Sequence, residues 1–134
     1  MNKREYLTSH LDDLLDDGID HVMLINERGR VESAASKNEI QISKDKHEIF
    51  SMGFRLHQSL LQEFDDEFGS VERFVIFRKK AKIVSVPLGS QSLIFVMNNM
   101  CDHSPIIRKI ETINESCSDM KEPDRVYAET IVYG

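Results

Sequence analysis

Hydrophobic and polar positions along the chain predict eight elements in the order α-β-β-α-β-β-β-α. Residues 3–17 read as a helix, with Leu7, Leu11 and Leu14 on one face, Tyr6 and Leu15 beside them and Gly18 as the stop. Asp12, Asp13, Asp16 and Asp17 crowd its C-terminal half, where the helix dipole disfavours anions. Their spacing does not match a calcium loop, so they read as a solvated acidic face. The run from His21 to Asn26 is continuously apolar at Val22, Met23, Leu24 and Ile25, as expected of a central strand covered on both faces. Asn26-Glu27-Arg28-Gly29 is a tight turn, and Arg30 to Ser36 returns as a more polar edge strand. The small residues Ser33, Ala34, Ala35 and Ser36 mark a place where something packs close.

The stretch from Ser43 to Phe68 reads as one long helix capped by Ser43, with Lys46 three residues on. Ile49, Met52, Gly53, Leu56, Leu60 and Phe64 form one apolar stripe, and Phe50, Phe54, Leu61 and Phe68 form a second. Together they cover more of the helix than the roughly 100° needed to seat it on one sheet face. The surplus points to a partner. The expectation is that the Ile49–Met52–Leu56–Leu60 face meets the sheet and the Phe50–Phe54–Leu61 shoulder meets the partner.

Gly69 and Ser70 end this helix, and three strands follow: Val71 to Phe77, Ala81 to Leu88 with Pro87 near its end, and the apolar run Ser92 to Met97. Ser104 and Pro105 read as N-cap and first residue of a last helix, with Ile106, Ile110, Ile113, Cys117 and Met120 as its core stripe. Glu122-Pro123 stops it, leaving the tail 122–134 outside a domain spanning 1–121. Two fully apolar strands require cover on both faces, so the expected fold is an α/β/α sandwich.

Composition narrows the function classes. The 134 residues suit one domain, and 40% hydrophobic with 30% charged residues is ordinary for a soluble protein. A net charge of −6 argues against general binding of nucleic acid or anionic membrane. The crowded Arg78, Lys79, Lys80 and Lys82 read as a solvated hairpin turn. Two cysteines outside any C-x-x-C spacing, no apolar leader and no run long enough for a membrane span lead us to expect a cytoplasmic protein.

Chemistry is sparse. Cys101, His103 and Cys117 are the nearest thing to a zinc set, but Cys117 falls on the apolar stripe of the last helix. His47 and His57 lack the spacing of a helical zinc pair, and His57, beside Leu61 and Phe64, reads as a packed or interface histidine. Phosphate-binding glycine motifs and a recognisable nucleophile setting are absent. We therefore expect no metal, no cofactor and no catalytic residues.

The two hairpins carry a resemblance. DHVMLINERGRVESAAS resembles the opening hairpin of roadblock (dynein light chain roadblock-type) domains, and KIVSVPLGSQSLIFVMNN resembles their closing hairpin. The profilin and longin folds share much of this layout. The resemblance covers about residues 5–120 and leaves out the tail beyond Glu122. It implies a three-layer α-β-α sandwich around a five-stranded antiparallel sheet in the order 2-1-5-4-3. It also implies a homodimer pairing the third strand and the long helix across a two-fold axis. That would place Phe50, Phe54, Leu61, Phe68, Phe74, Val75 and Phe77 at the interface. The implied partner is a small Ras-like GTPase or a scaffold complex. A second reading is a small-molecule sensor, in which Phe50, Phe54 and Phe68 line a pocket between helix and sheet.

Overall fold

The computed structural model describes residues 3–15, 18–37 and 43–116. Five strands, β1 (Ile19–Ile25), β2 (Val31–Ser36), β3 (Phe74–Phe77), β4 (Lys82–Leu88) and β5 (Gln91–Met97), form one antiparallel sheet in the order β2-β1-β5-β4-β3. The two strands without apolar alternation, β1 and β5, lie side by side in its interior. Each is buried on both faces, which is why neither alternates.

Strand parity divides the core in two. On one face Val22, Leu24, Val84, Val86, Leu93, Phe95 and Met97 pack against Leu7, Leu11, Leu14, Ile106 and Ile110 from the terminal helices. On the other, Met23, Ile25, Ile83 and Ile94 meet Phe54, flanked by Phe50, Phe74, Ile76 and Val96. The register aligns Met23, Ile94, Ser85 and Phe74 in one row across the second face. The expected three-layer sandwich and its strand order are both present.

The first helix is shorter than its periodicity suggested. α1 (Lys3–His10) tightens into a 3₁₀ turn over Leu11–Leu14. Leu7 and Leu11 are four residues apart, whereas Leu11 and Leu14 are three, and the tighter turn keeps all three buried. It also lets the Leu15 N–H satisfy the Asp12 carbonyl at 3.2 Å. Asp16 and Asp17 lie outside the described residues. Ser33 Oγ donates to the Thr8 carbonyl at 3.2 Å, so what packs close to the small residues of β2 is α1.

The β1–β2 turn is held by Asn26, whose side-chain oxygen accepts from the N–H groups of Arg28 and Arg30 at 2.9 and 3.1 Å. Gly29 follows with φ +78, a conformation L side chains rarely adopt. A Cβ there would come within 3.0 Å of Met52 Cα and Arg55 Cβ, so the turn sits directly against the long helix. Gly29→Ala should therefore destabilise the fold by roughly 1–3 kcal/mol, seen as a lower urea midpoint.

The long helix is interrupted. α2 (Lys44–Gln62) starts at Ser43, whose hydroxyl accepts from the Lys46 N–H at 3.4 Å, and it stops six residues before Phe68. A separate turn, α3 (Asp65–Phe68), follows Phe64. Asp65, Asp66 and Glu67 would oppose the dipole at the end of one continuous helix; in a new one they occupy its first turn. Strand β3 is also shorter than expected. Its pairing ends at Phe74–Ser85, two residues short of Pro87, which has no N–H to extend the ladder.

At α4 (Ser104–Ser116) the capping role falls to Asp102 rather than Ser104: its carboxylate accepts from the Ser104 N–H at 3.0 Å. That bond holds the Asp102 carboxyl below its ordinary range. Ile106 and Ile110 are buried as the stripe required, while Cys117, Met120 and the tail 122–134 lie outside the described residues.

Candidate interaction surface

The roll of α2 on the sheet is opposite to the one its pattern suggested. Phe54 is only 7% exposed and stacks on Phe74, with ring centroids 6.0 Å apart. Phe50 is half-buried and meets Phe54 edge-on at 5.0 Å. Ile49, Met52, Leu56 and Leu60, assigned to the sheet by sequence pattern, point away from it at 71%, 46%, 64% and 60% exposure. A helix rotates about 100° per residue, so this stripe lies diametrically opposite the buried Ser51, Phe54 and Gln58.

Three contacts explain the choice. Burying a phenylalanine is worth about 1.5–3 kcal/mol, and the Phe50–Phe54–Phe74 cluster adds edge and stacking attraction. The two polar residues carried inward are partnered: Gln58 Oε1 accepts from the Ser92 hydroxyl, and Ser51 Oγ donates to the Glu48 carbonyl at 3.2 Å. Finally, Arg55 Nε donates to the Glu27 carbonyl at 2.7 Å and clips the helix to the β1–β2 turn. Ser92 sits inside the apolar run of β5, and it was the sequence signal that an inward-facing amide would find a partner there.

Of the residues the resemblance placed at a dimer seam, Phe54 belongs to the core of its own chain and is unavailable to a second copy. Phe50, Leu61, Phe74 and Val75 are partly buried, while Phe68 and Phe77 are exposed at 84% and 73%. Of the lining in the sensor reading, Phe54 is packed between Phe50 and Phe74, and Phe68 is exposed. β3 forms the last strand of the sheet on this side, and His57 rests on Phe74 at 4.9 Å between ring centroids. The His57 side of α2, rather than its outward stripe, thus adjoins the β3 strand.

Gly53 lies within this stripe. Its φ is ordinary for a helix and a Cβ built on it meets nothing within 4 Å. Inside a helix glycine costs roughly 0.5–1 kcal/mol relative to alanine, and no contact in the protomer requires it.

The remaining candidate chemistry does not converge. Lys82 is buried rather than part of a solvated patch: its ammonium donates to the Cys101 carbonyl, stands 3.2 Å from His103 Nδ1 and lies 5.9 Å from the Phe77 ring centroid. Among the described residues no three of His, Cys, Asp and Glu gather as a metal set. His47 neighbours the buried His21, whose Nδ1 bonds the Ser36 hydroxyl. A shallow depression lined by Glu5, Thr8, Ser9 and Glu32 lies near α1 and β2. No described helix is long and apolar enough to cross a membrane.

Burial lowers the pKa of His21, with His47 adding to the effect, and burial with the nearby Lys82 and Arg73 lowers that of His103. Both rings stay neutral in the fold below the pH at which an unfolded histidine takes up a proton, about 6.5. Stability should be intact above pH ~6.5 and fall as the pH drops toward the folded values. His21→Gln should flatten the decline between pH ~7 and ~5 in urea titrations, whereas an unchanged slope would assign it to other groups.

No family model matches the sequence, and no curated protein is similar to it in sequence. Solved structures are similar in fold. The roadblock/LC7 domain from Streptomyces avermitilis superposes with a TM-score of 0.64 at 15% identity, covering 85% of this chain and 93% of that one. The chain has the roadblock fold. The gliding protein MglB from Thermus thermophilus gives a TM-score of 0.68 at 11% identity over 88% of this chain and 90% of that one. An MglB with a tetrameric arrangement gives 0.69 at 10% identity over 88% and 89%. In all three the likeness is one of fold. Among the described residues the exposed large hydrophobics include the outward stripe of α2, Phe64, Phe68, Phe77 and Met100.

Proposed function

We propose that this protein is a non-catalytic, homodimeric interaction module of roadblock type that regulates or scaffolds a small Ras-like GTPase or a larger complex, acting in the cytoplasm. The observation that carries the reading is the second apolar face of α2. One face is seated on the sheet through Phe54, with the partnered Ser51 and Gln58 beside it, and a further apolar stripe of Ile49, Met52, Leu56 and Leu60 stays outside. Contiguous apolar surface of this kind on a charged protein marks an interface. The β3 edge, with Phe77 exposed, offers backbone groups for strand pairing. An MglB of the same fold with a tetrameric arrangement lends support to self-association. The dimer residues on this reading are Ile49, Met52, Leu56 and Leu60 of the outward stripe, and the β3 edge with Phe77 is a separate surface.

The GTPase arm is tested with purified chain and purified Ras-like GTPases of its own cell, each loaded with GDP or a non-hydrolysable GTP analogue. Calorimetry should show binding that differs between the two nucleotide states. Equal or absent binding in both states would overturn the regulatory reading and leave the dimer to be judged separately.

A further inference from the structure

We infer that the tip built from the β3–β4 turn and the loop after β5 docks on an anionic membrane surface. Arg78, Lys79 and Lys80 meet the head groups, and Phe77 and Met100 enter the interface between them. The inference is independent of the homodimer and GTPase readings.

Two tight turns make this tip. The Arg78 N–H donates to the Ala81 carbonyl at 2.9 Å and closes the turn between β3 and β4. After β5, the Cys101 N–H donates to the Asn98 carbonyl at 2.9 Å, and Asn98 Oδ1 accepts from the Met100 N–H at 2.8 Å. Asn99 joins the two turns, its side-chain amide donating to the Lys79 carbonyl at 2.7 Å. Every residue from Phe77 to Lys80 and from Asn98 to Met100 is exposed. Turn corners favour glycine, asparagine and other small polar residues, so a methionine 91% exposed at one serves nothing in the protomer's own packing.

The charge of the tip is equally without a partner in the protomer. Among the described residues no carboxylate forms an ion pair with Arg78, Lys79 or Lys80. On a chain of net charge −6, three consecutive cations are a patch of opposite sign to the whole. Fixed charges act over about a Debye length, roughly 8–10 Å, so the charges facing a surface matter more than the total. Asp102 is turned to the Ser104 N–H and Glu72 to Arg73. Asp12 and Asp13 belong to the 3₁₀ turn against β1 and β2, two or more strand spacings of about 4.8 Å from β4.

The form of the tip selects the partner. Peptides are held in grooves or along strand edges. Here the cations cap a convex pair of turns, with an aromatic ring and a thioether exposed beside them. A planar anionic surface matches that form, because the cations reach head groups while the apolar side chains leave water.

The test sediments the full chain with vesicles of phosphatidylcholine alone or with about 30% phosphatidylserine, an anionic surface that attracts clustered cations. Binding should occur only with the anionic vesicles and vanish in about 1 M salt, where the Debye length falls to about 3 Å. Each cation near such a surface strengthens binding about fivefold, so Lys79→Gln combined with Lys80→Gln should weaken it about 25-fold. Met100→Ser should weaken it at least about fivefold through lost apolar burial. All three side chains are exposed, so neither variant should lower the melting temperature. No binding to anionic vesicles, equal binding to both kinds, or variants as tight as the unmodified chain would overturn the inference. Binding of polyglutamate with no binding of vesicles would overturn it in favour of an acidic protein segment.

Discussion

Phe54→Ala is expected to reduce the stability of the protomer by about 3–5 kcal/mol, the usual loss for emptying a phenylalanine site in a packed core. Phe54 is the buried centre of the α2 face, in contact with Phe50 and Phe74. Domains of this size have roughly 5–15 kcal/mol in total, so the variant should unfold far earlier in urea, and Phe54→Asp should not fold at all. A loss below ~1 kcal/mol would mean that α2 does not sit on the sheet through this ring.

Leu56→Asp, two residues along the same helix, should do the reverse. Leu56 is 64% exposed and points away from the sheet, so the protomer should change by no more than about 0.5 kcal/mol. A dimer built on this face loses two buried leucines and gains two buried carboxylates. At about 1.5–3 kcal/mol for each leucine alone, the dissociation constant should rise at least 100-fold. Light scattering would read the association state, and urea unfolding of the monomer would read the fold. Undiminished association would exclude the outward stripe from the interface.

The contrast between these neighbours locates where sequence pattern was sufficient and where it was not. The sheet was legible because period-two alternation and its absence report directly on how many faces are covered: the unbroken runs of β1 and β5 could only be central. The Asn26–Gly29 turn and the Ser43 cap were equally legible, since each depends on local backbone chemistry. The roll of α2 was not. Both stripes are apolar, and periodicity cannot tell which of two apolar faces turns inward. What decides it lies elsewhere in the chain: Ser92 to donate to Gln58, Phe74 to stack on Phe54, and the Gly29 turn against Met52 and Arg55.

The same limit explains Lys82, which proximity in sequence groups with Arg78, Lys79 and Lys80. Its parity on β4 is that of Val84 and Val86, on the terminal-helix face, where the Cys101 carbonyl and His103 hold its ammonium. The break after Gln62 was written in the acidic run Asp65-Asp66-Glu67, which suits the start of a helix and not its end.

Sedimentation equilibrium of the unmodified full chain tests the central claim most directly. Across about 1–100 μM, where a modest interface associates measurably, the protein should fit a monomer–dimer equilibrium dominated by dimer at the upper end. A single monomeric species throughout that range would contradict the account.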